Sequence, residues 1–292
     1  TRIAEVLNRV ITKAKRMSAP AQINIPRDIW TQVVDIDLPE IIEFELPAGG
    51  TDAISSAAKL LSDAKFPVIL NGAGVILGNA IPSSQTLAER LDSPVCCNYQ
   101  HNDAFPGSHP LFVGPLGYNG SKAAMELIKQ ADVVLALGTR LNPFSTLPGY
   151  NLDYWPNEAK LIQVDINPDR IGLTKPVTVG IVGDSKQVAE QILSRLTDSA
   201  GDAGRDVRRK LIADKKAVWA KTLASMDFEE DDPGTTWNER VRIRQPDHMS
   251  PRMVWRAIMA ALPKDAIISS DIGNNCAIGN AYPTFESGRK YL

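Results

Sequence analysis

Phe66-Pro67-Val68-Ile69-Leu70-Asn71-Gly72-Ala73-Gly74-Val75 decides the fold. A short apolar run enters a Gly-x-Gly turn directly, the way a buried strand of a doubly wound sheet hands over to a helix. Glycines let that backbone bend tightly and approach a neighbour or a ligand. Asp132–Arg140 (DVVLALGTR) and Lys160–Pro168 (KLIQVDINP) follow the same plan, each an apolar strand ending in small or polar residues. Ahead of the first strand, Ile54, Ala57, Ala58, Leu61 and Ala64 lie at helical spacing, with Thr51 as the expected N-cap. After it come helix 80–91, strand 94–98, a long loop over 99–118 and a helix opened by Asn119 or Ser121 and running through Gln130. Strand 132–137, a loop over 142–156, strands 160–166 and 176–182 and helix 185–196 complete the series. Strands alternating with helices at this spacing imply βαβ crossovers, and so an α/β fold with a mostly parallel sheet.

The flanks read differently. Ile3, Leu7, Val10, Ile11 and Ala14 predict a helix, and Ala21–Ile25 a short strand closed by Pro26. A lone helix and strand cannot bury both their faces, so this opening resembles the tail of another domain. Residues 31–50 end in Leu-Pro-Ala-Gly-Gly, a linker signature. Past residue 198 a Ser-, Gly- and Asp-rich break precedes a basic helix over 207–225, the acidic run Glu229–Asp232 and the basic run Arg240, Arg242 and Arg244. These charges read as solvated faces rather than an anion site. Ser250-Pro251 starts a further helix, an N-cap followed by proline at the first position. Ala266–Ser270 reads as a strand that ends in Asp271-Ile272-Gly273-Asn274-Asn275.

The chain has 292 residues, more than the ~100–200 of one ordinary domain, which suggests one full domain plus additional material. A net charge of −2 argues against non-specific nucleic-acid binding, which needs a basic face. No apolar run approaches the ~20 residues that cross a bilayer, and no secretory leader is evident, so no membrane partner and a cytoplasmic location are expected. Cys96, Cys97 and Cys276 cannot all pair, and buried reduced thiols are the simplest reading. The start at Thr1 rather than Met suggests a processed product or a fragment.

Gly72-x-Gly74-x-x-x-Gly78 departs from the dinucleotide fingerprint, because the third glycine falls one place late and the second strand ends near Asn98 instead of an acid. That disfavours a nicotinamide dehydrogenase. Two readings stay open: Gly72 and Gly74 permit a tight turn, or the helix start behind them holds a nucleotide phosphate. Gly138-Thr139-Arg140 and Asp165-Ile166 sit at strand ends that face the same crevice in such a fold. His101 and His109 flank Asp103, which suggests acid–base chemistry or, more simply, loop hydrogen bonding; their spacing fits no zinc pattern. Asn274 and Asn275 read as phosphate ligands or as a turn and cap.

Taken together, these segments resemble a thiamine-diphosphate-dependent enzyme of the acetolactate synthase and pyruvate oxidase type. Ala19–Asp28 (APAQINIPRD) is similar to the close of that family's first domain. LGTR at 137–140 and IQVDINP at 162–168 resemble its central domain, and SDIGNN at 270–275 the start of its third. The long strings YQHNDAFPGSHPLFVGPLGYNGSKAAMELI (99–128), LNPFSTLPGYNLDYWP (141–156) and DINPDRIGLTKPV (165–177) resemble its acyltransferase branch, whose substrates are sulfoacetaldehyde and phosphate.

The resemblance implies a Rossmann-like central domain over 46–198, with helices on both faces of its sheet, flanked by partial α/β domains. Residues 1–45 correspond to the end of a pyrimidine-binding domain and a linker, 199–247 to a linker excursion and 248–292 to the start of a diphosphate-binding domain. It implies thiamine diphosphate and Mg²⁺ as cofactors, with Gly273, Asn274 and Asn275 at the diphosphate. It also implies a homodimer or homotetramer, since the cofactor of such enzymes sits between subunits. Relatives that bind FAD or ADP use positions matching Gly72, Gly74, Gly138, Arg140, Asp165, Ile166 and Asp184. The acyltransferase branch is not expected to need flavin, which would leave that crevice vestigial or regulatory. The family's activating glutamate and Gly-Asp-Gly metal motif have no match here, so neither a catalytic residue nor a metal ligand is expected, and the isolated chain is expected to be catalytically silent. In the family reaction the thiazolium ring serves as electron sink at the aldehyde carbon, sulfite leaves and phosphate captures the acetyl group. The alternatives are an acetolactate-synthase-like carboligase, a nucleotide-binding regulatory module and a structural spacer.

Overall fold

Six parallel strands form the sheet at the centre of the molecule: β1 (Pro67–Asn71), β2 (Val95–Cys97), β3 (Phe112–Pro115), β4 (Val133–Leu137), β5 (Lys160–Asp165) and β6 (Val179–Val182). They lie in the order β3-β2-β1-β4-β5-β6. This computed structural model describes residues 2–17, 19–37, 45–226 and 251–291. Strands β1 and β4 are buried along their whole length, as continuous Val/Ile/Leu runs require when both faces of a parallel sheet are covered. Pro67 occupies the first position of β1, where its missing N–H costs the ladder little. Asn71 pairs with Leu137 and Leu137 with Val164, so β1, β4 and β5 end level and deliver their turns to one edge of the sheet.

Ten helices are described: α1 (Ile3–Met17), α2 (Thr51–Asp63), α3 (Ala73–Leu77), α4 (Ile81–Leu91), α5 (Lys122–Ile128), α6 (Pro143–Thr146), α7 (Ser185–Leu193), α8 (Arg205–Met226), α9 (Pro251–Ala261) and α10 (Asn274–Gly279). α7 packs against α2 and α4, while α8 packs against α5, so the helices surround the sheet. Ser121 caps α5 by accepting from the Ala124 N–H, and Asp184 caps α7 by accepting from the N–H groups of Lys186 and Gln187. Gly50, not Thr51, is the N-cap of α2, and Thr51 is its first helical residue.

Several sequence expectations are corrected. The loop expected over 99–118 contains strand β3, whose Gly114 and Pro115 disguise an edge strand. Residues 21–26 carry no strand, since nothing among the described residues pairs with them. The strand expected over Ala266–Ser270 reduces to one parallel bridge between Ile268 and Tyr291. The helix expected over 207–225 is present as α8, which is tied down by Arg208. That fully buried guanidinium donates to the carbonyls of Lys65, Leu91, Asp92, Gly201 and Ala203 at 2.6–3.0 Å. The charge runs Glu229–Asp232 and Arg240, Arg242 and Arg244, and the cap Ser250, lie outside the described residues. All three cysteines are free and buried, as read from the sequence. Burial pushes the Cys96 and Cys97 thiols far above the ordinary range, which makes them inert.

Candidate functional site

The order of strands reverses between β1 and β4, and in open α/β sheets ligands bind in the crevice outside the carboxyl ends of strands at such a point. A cavity of about 360 Å³ occupies that place. The turns after β1, β2, β4, β5 and β6 all reach it, bringing together Gly74, Asn98, His101, Gly138, Arg140, Asp165, Ile166 and Asp184. Six of the seven residues expected at a nucleotide crevice therefore line one cavity. Gly72, the seventh, lies behind the wall.

The glycines are explained by contact between two turns. Gly72 N–H donates to the Leu137 carbonyl at 3.0 Å and Gly74 N–H to the Gly138 carbonyl at 2.9 Å. A Cβ on Gly74 would stand 2.6 Å from the Gly138 Cα, and Gly138 has φ +62°, a left-handed conformation that favours glycine. The two N–H groups are thus taken up within the protein and do not point at the cavity.

Charge in the cavity is mixed. Lys15 from α1, Arg140 and Arg170 supply cations, while Asp165 and Asp184 supply carboxylates. Burial raises the Asp165 carboxyl above its ordinary value, opposed by the Asn167 N–H at 2.8 Å and by Arg170 at 4.0 Å. Asp184 is already engaged through Oδ1 with the first turn of α7. Burial also holds the His101 imidazole below its ordinary value, so it is neutral near pH 7; Asp103 opposes this and Arg140 reinforces it. Asn98 is buried, donates to Thr139 Oγ1 and leaves its own Oδ1 without a partner among the described residues. Asn98 and His101 were not singled out as cavity residues by the sequence. The end of β2 could have flagged Asn98, whereas the approach of Lys15 depends on how α1 is placed.

Of the two readings of His101, Asp103 and His109, loop hydrogen bonding is the one that matches the contacts. His109 Nε2 lies 3.1 Å from Glu89 Oε1, and Asp103 Oδ2 accepts from the N–H groups of Lys290 and Tyr291 at 2.9 and 3.3 Å. Among the described residues no three His, Cys, Asp or Glu side chains group as metal ligands.

Gly273, Asn274 and Asn275 lie outside the cavity, at the start of α10. Gly273 has φ +150° and open space where a Cβ would be. Asn274 and Asn275 are exposed, and the turn is held by Cys276 Sγ–H donating to the Gly273 carbonyl at 3.1 Å and by Trp255 Nε1–H donating to the Asn275 carbonyl at 3.0 Å.

A doubly wound parallel sheet with a mixed-charge crevice at its switch point defines a Rossmann-type binding domain. Residues 54–192 match the family model described as thiamine pyrophosphate enzyme, central domain. The whole chain is 74% identical to a sulfoacetaldehyde acetyltransferase of Roseovarius nubinhibens, of which it covers 48%. It is 73% identical over its full length to a probable sulfoacetaldehyde acetyltransferase of Rhizobium meliloti, covering 49% of that protein. A probable acetolactate synthase large subunit of Methanocaldococcus jannaschii is 36% identical over 61% of this chain and 31% of its own length. The middle of the chain thus resembles the central domain of thiamine pyrophosphate enzymes, and the chain spans about half the length of the curated relatives it matches.

Proposed function

We propose that this chain serves in a thiamine-diphosphate-dependent acetyltransferase that converts sulfoacetaldehyde and phosphate into acetyl phosphate and sulfite. The observation that carries this reading is identity of 68–74% along the whole chain to three relatives that bear that name or its probable form. Thiamine diphosphate supplies a thiazolium that accepts electron density from the aldehyde carbon. The residues present fit its anionic end: Gly273 leaves open space, and Asn274 and Asn275 present exposed amides at a helix start. They do not supply a ligand set for Mg²⁺ among the described residues, so the metal is assigned no partner here. In this reading the chain's own part is to bind and orient: the turn at 273–275 receives the diphosphate, and Cys276 and Trp255 hold that turn in place.

The crevice lined by Gly74, Gly138, Arg140, Asp165, Ile166 and Asp184 takes a small anionic ligand on Arg140, with Asp165 accepting from a ligand hydroxyl. Gly72 shapes its wall. FAD and ADP are the probes for this site, and flavin is not expected to be required for turnover. The enzyme works as a homodimer or homotetramer in the cytoplasm.

The test is a product split in the enzyme that carries this chain. With thiamine diphosphate and Mg²⁺, sulfoacetaldehyde and phosphate yield sulfite, and pyruvate yields no acetolactate. Acetolactate without sulfite would favour the carboligase alternative. The 292 residues alone are expected to release no sulfite under the same conditions, and release would contradict the division of roles drawn here.

A further inference from the structure

The loop after β2 does more than line the crevice: it grips the segment that follows α10. Asn102 Nδ2 donates to the carbonyls of Asn280 and Pro283, both at 2.8 Å. Asn280 is fully buried and its side chain is bound on both ends, Oδ1 accepting from the Gln100 N–H at 2.9 Å and Nδ2 donating to the carbonyls of Leu116 and Tyr118 at 3.4 and 3.3 Å. Asp103 Oδ2 accepts from the N–H groups of Lys290 and Tyr291, and Gly107 N–H donates to the Phe285 carbonyl at 2.7 Å.

Asn102 leaves its own Oδ1 without a partner among the described residues, buried at 1% exposure. A buried acceptor left unbonded is costly, so the residue suits its place through the two bonds it donates. Both of those bonds cross to the C-terminal segment. Asn280 in turn is the C-cap of α10, the six-residue helix whose N-cap is Gly273, so whatever fixes Asn280 fixes the turn about one and a half helical turns away.

We infer that Asn102 and Asn280 are positioning residues for the turn Gly273–Asn275. They lock the helix behind it to the loops that leave β2 and β3, so that the turn is preorganised before any diphosphate arrives. This rests on the functional reading above for the identity of the ligand, but not for the clamp itself. Preorganisation appears in affinity, because an unlocked turn must be ordered as the ligand binds.

The experiment has two arms. In the 292-residue chain, hydrogen exchange of Asn102→Ala is compared with wild type; Asn280→Asp, which sets a carboxylate against two carbonyls, is the second variant. The amides of 274–291 should exchange about ten- to hundredfold faster, as expected for loss of buried hydrogen bonds, while 67–71 and 133–137 hold their protection. In the enzyme that carries this chain, thiamine diphosphate should bind about tenfold or more weakly to Asn102→Ala, with kcat at saturating cofactor retained. Unchanged exchange at 274–291, equal acceleration across the sheet, or unchanged cofactor affinity would each overturn the inference. Failure of the wild-type enzyme to bind thiamine diphosphate would instead remove the functional reading and, with it, the positioning role.

Discussion

Replacing Arg208 by methionine tests whether α8 is an integral part of the central unit. The guanidinium is buried at 1% exposure and its five donor bonds end on backbone carbonyls from three separate segments, at Lys65, at Leu91 and Asp92, and at Gly201 and Ala203. Burial pulls this arginine below its ordinary pKa, which signals incomplete compensation for lost hydration, although Asp92 partly offsets it. Methionine fills most of the volume and removes the buried charge, which offsets part of the loss. It also strands carbonyls; those of Leu91, Asp92 and Gly201 belong to buried residues. At about 1–3 kcal/mol for each stranded group, with Lys65 and Ala203 free to turn to water, the expected loss is about 3–5 kcal/mol. For a chain of this size that lowers the thermal midpoint by roughly 6–20 °C at about 2–4 °C per kcal/mol. Differential scanning calorimetry on wild type, Arg208→Met and Arg208→Lys provides the measurement, with lysine recovering part of the loss through its smaller set of donors. A methionine variant within about 1 kcal/mol of wild type would refute the argument that these bonds anchor α8.

Two further outcomes concern the crevice. Gly74→Ala drives a Cβ into the Gly138 backbone and should destabilise by about 1–3 kcal/mol, measured by urea unfolding, with any crevice ligand weakened alongside; a neutral variant would show that the two turns separate freely. Asp165 has a folded-state pKa above its ordinary value of 3.8, so its stabilising contribution is present below that value and is lost as pH rises through the folded-state pKa. Asp165→Asn should therefore gain stability relative to wild type at pH 7 and lose that advantage near pH 3; an advantage independent of pH would contradict the assignment.

The legible part of the fold was the part with local causes. β1, β4 and β5 announced themselves as apolar runs into small-residue turns, and their level ends placed Gly138, Arg140, Asp165 and Ile166 at one crevice. Strand β3 was hidden because Gly114 and Pro115 read as loop, and only pairing with β2 makes it a strand. The reverse error occurred at 21–25 and 266–270, where β-like composition found no partner strand among the described residues. Arg208 sat in a basic helix and was not singled out, since nothing local reveals five carbonyls converging from distant segments. Asp184 was expected at the crevice and does line it, but its capping of α7 is a second duty that its position before Ser185 would have disclosed. The grip of Asn102 on Asn280 joins residues 178 positions apart and left no mark on the sequence.

The account stands most directly on the stoichiometry of products. The enzyme that carries this chain, given sulfoacetaldehyde, phosphate, thiamine diphosphate and Mg²⁺, should form one acetyl phosphate for each sulfite released, and neither without thiamine diphosphate. Sulfite release that persists without thiamine diphosphate, or its absence with the full set of reactants, would contradict it.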